Sequence, residues 1–253
     1  RYPDGVEGEF FFEKKCPSHR PPWVLTTPIW SEVKQEHIGF CIMNDLPSLL
    51  WAANLAVLEL HTSLATSKNY ERPTAIAFDL DPGAPANIIQ CCQVALWLRG
   101  IFDEFELESF PKTSGSKGIQ IYVPLNSAIS YDETKVFARA LAELIERQHP
   151  ELVVSKMSKA LRKGKIFVDW SQNDQHKTTV SVYSLRAKER PLVSTPLFWR
   201  EVEAAHKKKE IALLEFDNTQ VLSRVEKHGD LFEPVLKLKQ KLPHSAVIAE
   251  IPH

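Results

Sequence analysis

Two carboxylates, Asp79 and Asp81, are the residues of this 253-residue chain whose type and spacing point most directly to chemistry. They close the apolar run TAIAFDLDPG, residues 74 to 83, which reads as a short strand. Side chains two apart on a strand share a face and lie roughly 6.5 to 7 Å apart, so a pair of acids there can share metal ions. Pro82 and Gly83 are expected to break the strand and leave the acids at its mouth, outside a sheet.

Other candidates lie further along. Asp169 sits in the apolar run IFVDW, and a buried Asp needs a partner, of which a metal is one. The loop FPKTSGSKG carries small residues and Lys117, so its backbone N–H groups and an ammonium could cradle an anion, although it lacks the spacing of a Walker loop. Lys156, Lys159, Arg162, Lys163 and Lys165 crowd into ten residues just before the Asp169 strand. Such a run suits phosphates, and equally suits a solvated face. Phe10, Phe11 and Phe12 cannot all face one core, so at least one is expected at the surface, where it could stack on a base. A lone D-x-D also fits an exposed turn, a sugar-nucleotide transferase or a haloacid-dehalogenase phosphatase. The phosphatase wants Thr or Val two residues beyond its second Asp, where this chain has Gly83.

Composition bounds the rest. A content of 43% hydrophobic and 25% charged residues belongs to a globular domain and excludes disordered and fibrous classes. No apolar run approaches the roughly 20 residues that span a bilayer, and no signal peptide opens the chain, so an intracellular, cytoplasmic protein is expected. A net charge of -1 means that any nucleic acid must be held by a local basic patch. Cys16, Cys41, Cys91 and Cys92 show no C-x-x-C pairing and read as reduced core thiols without zinc. Arg1 in place of Met implies something removed upstream, or a longer polypeptide.

The elements that must position these residues follow from periodicity. IGFCIMND reads as a strand and LPSLLWAANLAVLELH as a buried helix from Pro47 that reaches His61. A helix from Asn87, as N-cap, to Phe102 follows the acidic strand. Then come a strand over Ile119 to Val123, a helix over 132 to 149, a strand over Ile166 to Trp170, an alternating strand TTVSVYSLR ending at Arg186, and a helix from TPLFWREVEAAHKKK. The tail, 219 to 253, reads as a helical appendage interrupted at Gly229 and Pro234. With no repeat and no long linker, the chain reads as one α+β domain.

FDLDPG, TSGSKG, KIFVDWSQN and YSLR, in this order, resemble the polymerase domain of bacterial ATP-dependent DNA ligase D, a branch of the archaeo-eukaryotic primase superfamily. RYPDGVEG, FFEK, LELH and STPLFW extend the resemblance from Arg1 to about Leu242. It implies a primase-like mixed or antiparallel sheet core flanked by helices. It also implies a template-directed nucleotidyltransferase that fills gaps and extends DNA ends in non-homologous end joining, with a preference for ribonucleotides. Asp79, Asp81 and Asp169 would hold two divalent metals, Mn2+ or Mg2+. His61, Ser114, Lys117, Arg186 and Gln172 would grip the nucleoside triphosphate. Phe11, Phe12, Lys14, Lys159, Arg162 and Lys163 would meet DNA, with a DNA ligase and Ku as further partners. Two departures stand out: many members have His where this chain has Gln120, and the segment that precedes R-x-P-D-G in the family, which helps to recognise a 5′-phosphate, is missing. The resemblance leaves two alternatives, a primase or primase-polymerase of the same fold and a non-catalytic DNA-end bridging module.

Overall fold

The computed structural model describes residues 1–243. Its centre is a mixed five-stranded sheet built from β6 (Ala75–Pro82), β7 (Phe110–Thr113), β8 (Ile119–Pro124), β9 (Val153–Val154) and β10 (Ile166–Asp169), in the order β7-β8-β6-β10-β9. Only the β9–β10 pair is parallel; the others are antiparallel. The two faces of β6 explain the arrangement. Ile76, Phe78 and Leu80 point to one side and are wholly buried beneath α2 (Ile88–Glu104) and α3 (Tyr131–Gln148). Phe78 lies 5.5 Å from the Phe102 ring of α2. Its replacement by Ala should cost about 3 to 5 kcal/mol. Ala75 and Ala77 face the other way, in a smaller cluster with Tyr122 and Phe232, and Asp79 and Asp81 continue that second face.

The acids are therefore not beyond the sheet, as the Pro-Gly pair suggested. β6 runs through Pro82, with Asp79 opposite Gln120 on one side and Asp169 on the other, and Asp81 opposite Phe167. Gly83 serves a close approach instead: a Cβ there would stand 1.8 Å from the Arg162 carbonyl oxygen.

Capping boxes fix the starts of the main helices. Asn87 and Gln90 exchange side-chain and backbone hydrogen bonds at α2, and Ser130 and Glu133 do so at α3. Helix α1 (Leu46–Asn54) is shorter than its apolar run. Ala56 adopts φ 56°, which ends the helix, and Leu46, Leu49 and Leu50 are exposed, so it is a surface helix that never reaches His61. His61 instead opens β3 (His61–Thr62), paired with β11 (Thr179–Val180). The TTVSVYSLR run yields only that two-residue strand and a single bridge from Leu185 to Val193, with a turn between them in which Tyr183 takes φ 64°. Trp170 begins a 3₁₀ turn to Gln172 rather than extending β10.

β1 (Thr26–Ser31) and β2 (Glu36–Cys41) form a hairpin, and β4 (Ala65–Thr66) pairs with β5 (Asn69–Pro73). Cys16 and Cys41 are joined in a disulfide with Cα atoms 5.2 Å apart, which corrects the reading of four reduced thiols; the segment before the hairpin lies beside β2, where the Cys16 N–H donates to the Gly39 carbonyl at 2.7 Å. Cys91 and Cys92 are free, buried thiols on α2. Helix α4 (Trp199–Lys208) packs on α2. In the tail, α5 (Asn218–His228) stops at Gly229, whereas Pro234 sits in the first turn of α6 (Glu233–Lys237), where proline is tolerated. This tail is docked: Phe232 packs edge-on against Tyr122 at 5.0 Å, and Asn126 donates to the carbonyls of Val235 and Leu238. The last part of the expected helical tail, 244 to 253, lies outside the described residues. No helix among the described residues is long and apolar enough to cross a membrane.

Candidate functional site

The register of four strands lays a polar row across the second face of the sheet. Lys112 of β7 stands opposite Gln120 of β8, Gln120 opposite Asp79 of β6, and Asp79 opposite Asp169 of β10. A cleft of about 290 Å³ opens over this row, lined by Asp79, Asp81, Ser114, Lys117, Gln120 and Gln172, with His61 and Arg186 at its walls. All five residues expected to grip a triphosphate thus meet two of the three acids in one hollow.

The acids repel one another. Asp79 is half-buried, and its Oδ1 is shielded from solvent without a hydrogen-bond partner. Burial first, then the charges of Asp81 and Asp169, push its carboxyl up to about 7, while the Gln120 amide and the Lys112 ammonium pull the other way. Asp81 is raised too, by desolvation and Asp169, with Arg162 and Arg186 opposing. Asp169 is held by its own turn: Oδ1 accepts from the Ser171 N–H at 2.9 Å and the Ser171 hydroxyl at 2.6 Å, and Oδ2 from Gln172 at 2.8 Å. Buried Asn173 staples that turn to β6 through both the N–H and the carbonyl of Ala77. Self-repelling carboxylates and an orphaned oxygen fit divalent cations as ligands. Among the described residues, however, no three His, Cys, Asp or Glu side chains are gathered closely enough to be a preformed metal cluster.

The Ser114 loop is tighter than an open anion cradle. Ser114 Oγ accepts from the N–H groups of Ser116 at 3.3 Å and Gly118 at 3.1 Å, so two loop donors turn inward. Lys117 is left exposed at the rim. Gly118 is demanded by packing, since a Cβ there would lie 2.2 Å from the Leu80 carbonyl oxygen.

Arg186 donates Nη1 to the Ser114 carbonyl at 2.9 Å and lies 3.2 Å from Glu59 Oε1. Burial alone would raise Glu59, but hydrogen bonds from His61 and the Ala187 N–H, with the Arg186 charge, outweigh it and hold the carboxyl at about 2.

The proposed DNA contacts are more scattered. Phe11 and Phe12 are exposed, and Phe12 stands edge-on to His61 at 5.6 Å, so the aromatic segment borders the cleft. Lys14 donates to the His176 carbonyl at 3.0 Å, which pins that segment beside β11. Lys159 and Lys163 are exposed on the turn before β10. Arg162 is folded inward instead, its guanidinium 3.6 Å from the centre of the Phe167 ring and bonded to the Met157 carbonyl at 2.8 Å.

Sequence reasoning missed Glu59 and Lys112. Lys112 is fully buried, donating to the Val180 carbonyl at 3.0 Å and the Ser194 hydroxyl at 2.6 Å, and burial presses its ammonium down to about 7 against the attraction of Asp79. Glu59 is a charge inside an apolar run, the signal that singled out Asp169, whereas Lys112 stands between Pro111 and Thr113 at the start of a small-residue loop and left no such signal.

Comparison with known proteins gives a consistent picture. The family model described as LigD, primase-polymerase domain, matches residues 1–232. The chain is 39% identical over 237 residues to the multifunctional non-homologous end joining protein LigD of Mycolicibacterium smegmatis, covering 93% of this chain and 30% of that protein. It is 34% identical over 252 residues to the bifunctional LigD of Bacillus subtilis, covering 99% of this chain and 39% of that protein. The chain thus spans about a third of the length of these relatives. Its structure matches the polymerase domain of Mycobacterium tuberculosis ligase D in complex with DNA, with a TM-score of 0.84 and 35% identity over 95% of this chain and 84% of that one.

Proposed function

Because the chain belongs to the LigD primase-polymerase family, we propose that it is a metal-dependent, template-directed nucleotidyltransferase that fills gaps and extends DNA ends in non-homologous end joining. One observation carries the reading to these residues: Asp79 and Asp81 share a single cleft with His61, Ser114, Lys117, Gln172 and Arg186, and Asp169 stands beside Asp79 in register. Asp79, Asp81 and Asp169 would hold two divalent ions, Mn2+ or Mg2+. When bound, such ions supply activation of a primer hydroxyl and neutralise charge on the leaving pyrophosphate.

The chain's own groups do the rest. Lys117, Arg186 and His61 set positive charge and donors around the triphosphate, where each is worth more as charge develops on the leaving oxygens. Gln120 offers a neutral amide where many relatives carry His, so the charge on the triphosphate must be met by the other three. Phe11 and Phe12, exposed beside the cleft, would stack on a template base, a contact indifferent to sequence. Lys159 and Lys163 would meet backbone phosphates, and Arg162, held on Phe167 opposite Asp81, would order the primer end. A ribonucleotide preference and docking to a DNA ligase and Ku complete the reading. Primer extension on gapped duplex, comparing ATP with dATP and Mg2+ with Mn2+, tests it. Templated addition that is lost in Asp79→Asn and Asp169→Ala is expected; addition surviving in either variant would refute the assignment of the acids.

A further inference from the structure

Glu59 is a strongly held charge that this chemistry leaves without a task. It lies on the connection between α1 and β3 with its side chain only 15% exposed. Its Oε2 accepts from His61 Nε2 at 3.1 Å, and its Oε1 accepts from the Ala187 N–H at 3.0 Å and lies 3.2 Å from Arg186 Nε. The backbone beside it is fixed as well. The Leu60 N–H donates to the Ser184 hydroxyl at 2.9 Å, and the Leu60 carbonyl accepts from the Ser181 N–H at 2.8 Å. One carboxylate therefore links two cleft walls that come from distant parts of the chain, and Arg186 extends the link to the Ser114 carbonyl.

Glu59 does not line the cleft; it borders the neighbouring hollow beneath Phe12. It stands behind His61 and Arg186 rather than in front of them. Long, rotamer-rich side chains lose binding energy when a ligand must first order them, and a partner that orders them beforehand removes that cost. We propose that Glu59 is a positioning residue for nucleotide capture, holding His61 and Arg186 in one orientation so that a triphosphate meets them already arranged. The proposal rests on the cleft being the triphosphate site.

Coulomb's law alone gives the opposite sign, which makes the test sharp. A negative charge close to a polyphosphate repels it, so neutralising Glu59 without any positioning role should tighten binding. The positioning role makes it weaken. With the full chain, Mn2+ and no DNA, a fluorescent non-hydrolysable ATP analogue is titrated into wild type and Glu59→Gln. The expected result is a Kd raised by about tenfold or more, the scale of a hydrogen bond to a charged group. In His61→Ala and Arg186→Ala backgrounds the same substitution should add much less than it does alone, because its partners are gone. An unchanged or lowered Kd, or full additivity in both backgrounds, would overturn the role of Glu59. Nitrogen-15 spectra of the wild-type imidazole need no substitution and guard against a variant that does not fold: a proton fixed on Nε2 of His61 is expected, and a bare Nε2 would overturn the proposal. If His61→Ala and Arg186→Ala themselves bind the analogue as wild type does, the cleft reading falls and this proposal with it; if they weaken binding while Glu59→Gln does not, only Glu59 loses its role.

Discussion

Replacing Asp79 with Asn should make the metal-free protein more stable, and more so as the pH rises. An unfolded aspartate ionises near 3.8, whereas burial and the charges of Asp81 and Asp169 push the folded Asp79 carboxyl up to about 7. Between those values the folded chain holds a proton that the unfolded chain has lost. Stability therefore falls as pH climbs through this window, and the penalty is complete above its upper end. At about 1.4 kcal/mol for each tenfold change in proton affinity, the penalty is at most on the order of 4 kcal/mol at pH 8 and less than half of that at pH 5. Asn has the same shape and no charge to desolvate. In EDTA the Asp79→Asn protein should melt roughly 5 to 10 °C higher than wild type at pH 8, given a few degrees per kcal/mol for a chain of this size, and the gap should shrink by more than half at pH 5. Adding Mn2+ should raise wild type and leave the variant nearly unmoved, because only an intact carboxylate set gains binding energy in the folded state. A variant no more stable than wild type at pH 8, or an equal gap at both pH values, would refute the argument that these acids repel one another in the absence of cations.

Other substitutions separate the remaining parts of the site. Lys117→Ala should raise the apparent nucleotide KM and lower kcat while leaving DNA affinity without nucleotide unchanged; a gel-shift loss as large as the catalytic loss would make the loop a DNA contact. Changing Lys156, Lys159 and Lys163 together to Ser should weaken binding to gapped duplex at every sequence and flatten the salt slope, since each phosphate contact contributes about -0.9 to it; an unchanged slope would show a solvated face. Gly118→Ala puts a Cβ where the Leu80 carbonyl oxygen now sits 2.2 Å away, so β6 or the loop must shift. It should lower stability by roughly 1 to 3 kcal/mol in urea titration and raise the nucleotide Kd, and a variant with wild-type values in both would show that the contact is easily relieved.

What the sequence made legible, and what it hid, divides along the range of the interactions involved. Helix starts were readable because a capping box is local: Asn87 with Gln90 marks α2 within one turn of chain. The period-two pattern of β6 put Asp79 and Asp81 on one face, and that survived. Whether that strand lay at an edge or in the middle of a sheet was not a local question. Pro82 and Gly83 argued for an end, yet β8 and β10 flank the strand on both sides, and the glycine is there because the Arg162 backbone crosses it. His61 was misplaced for a related reason. Apolar periodicity continued past Asn54, but a positive φ at Ala56 turned the chain, and the histidine took its position from β11, far along the sequence. The Cys16–Cys41 bond likewise depends on the segment before the hairpin lying beside β2, with the Cys16 N–H on the Gly39 carbonyl at 2.7 Å, which spacing does not reveal. Buried charge was the one long-range feature that did leave a local trace. Asp169 and Glu59 each interrupt an apolar run, and each is answered by a partner, from another segment for Glu59 and from its own turn for Asp169. The same desolvation cost that forbids an unpaired charge in a core thus marks, within the sequence alone, where a fold must bring polar groups together.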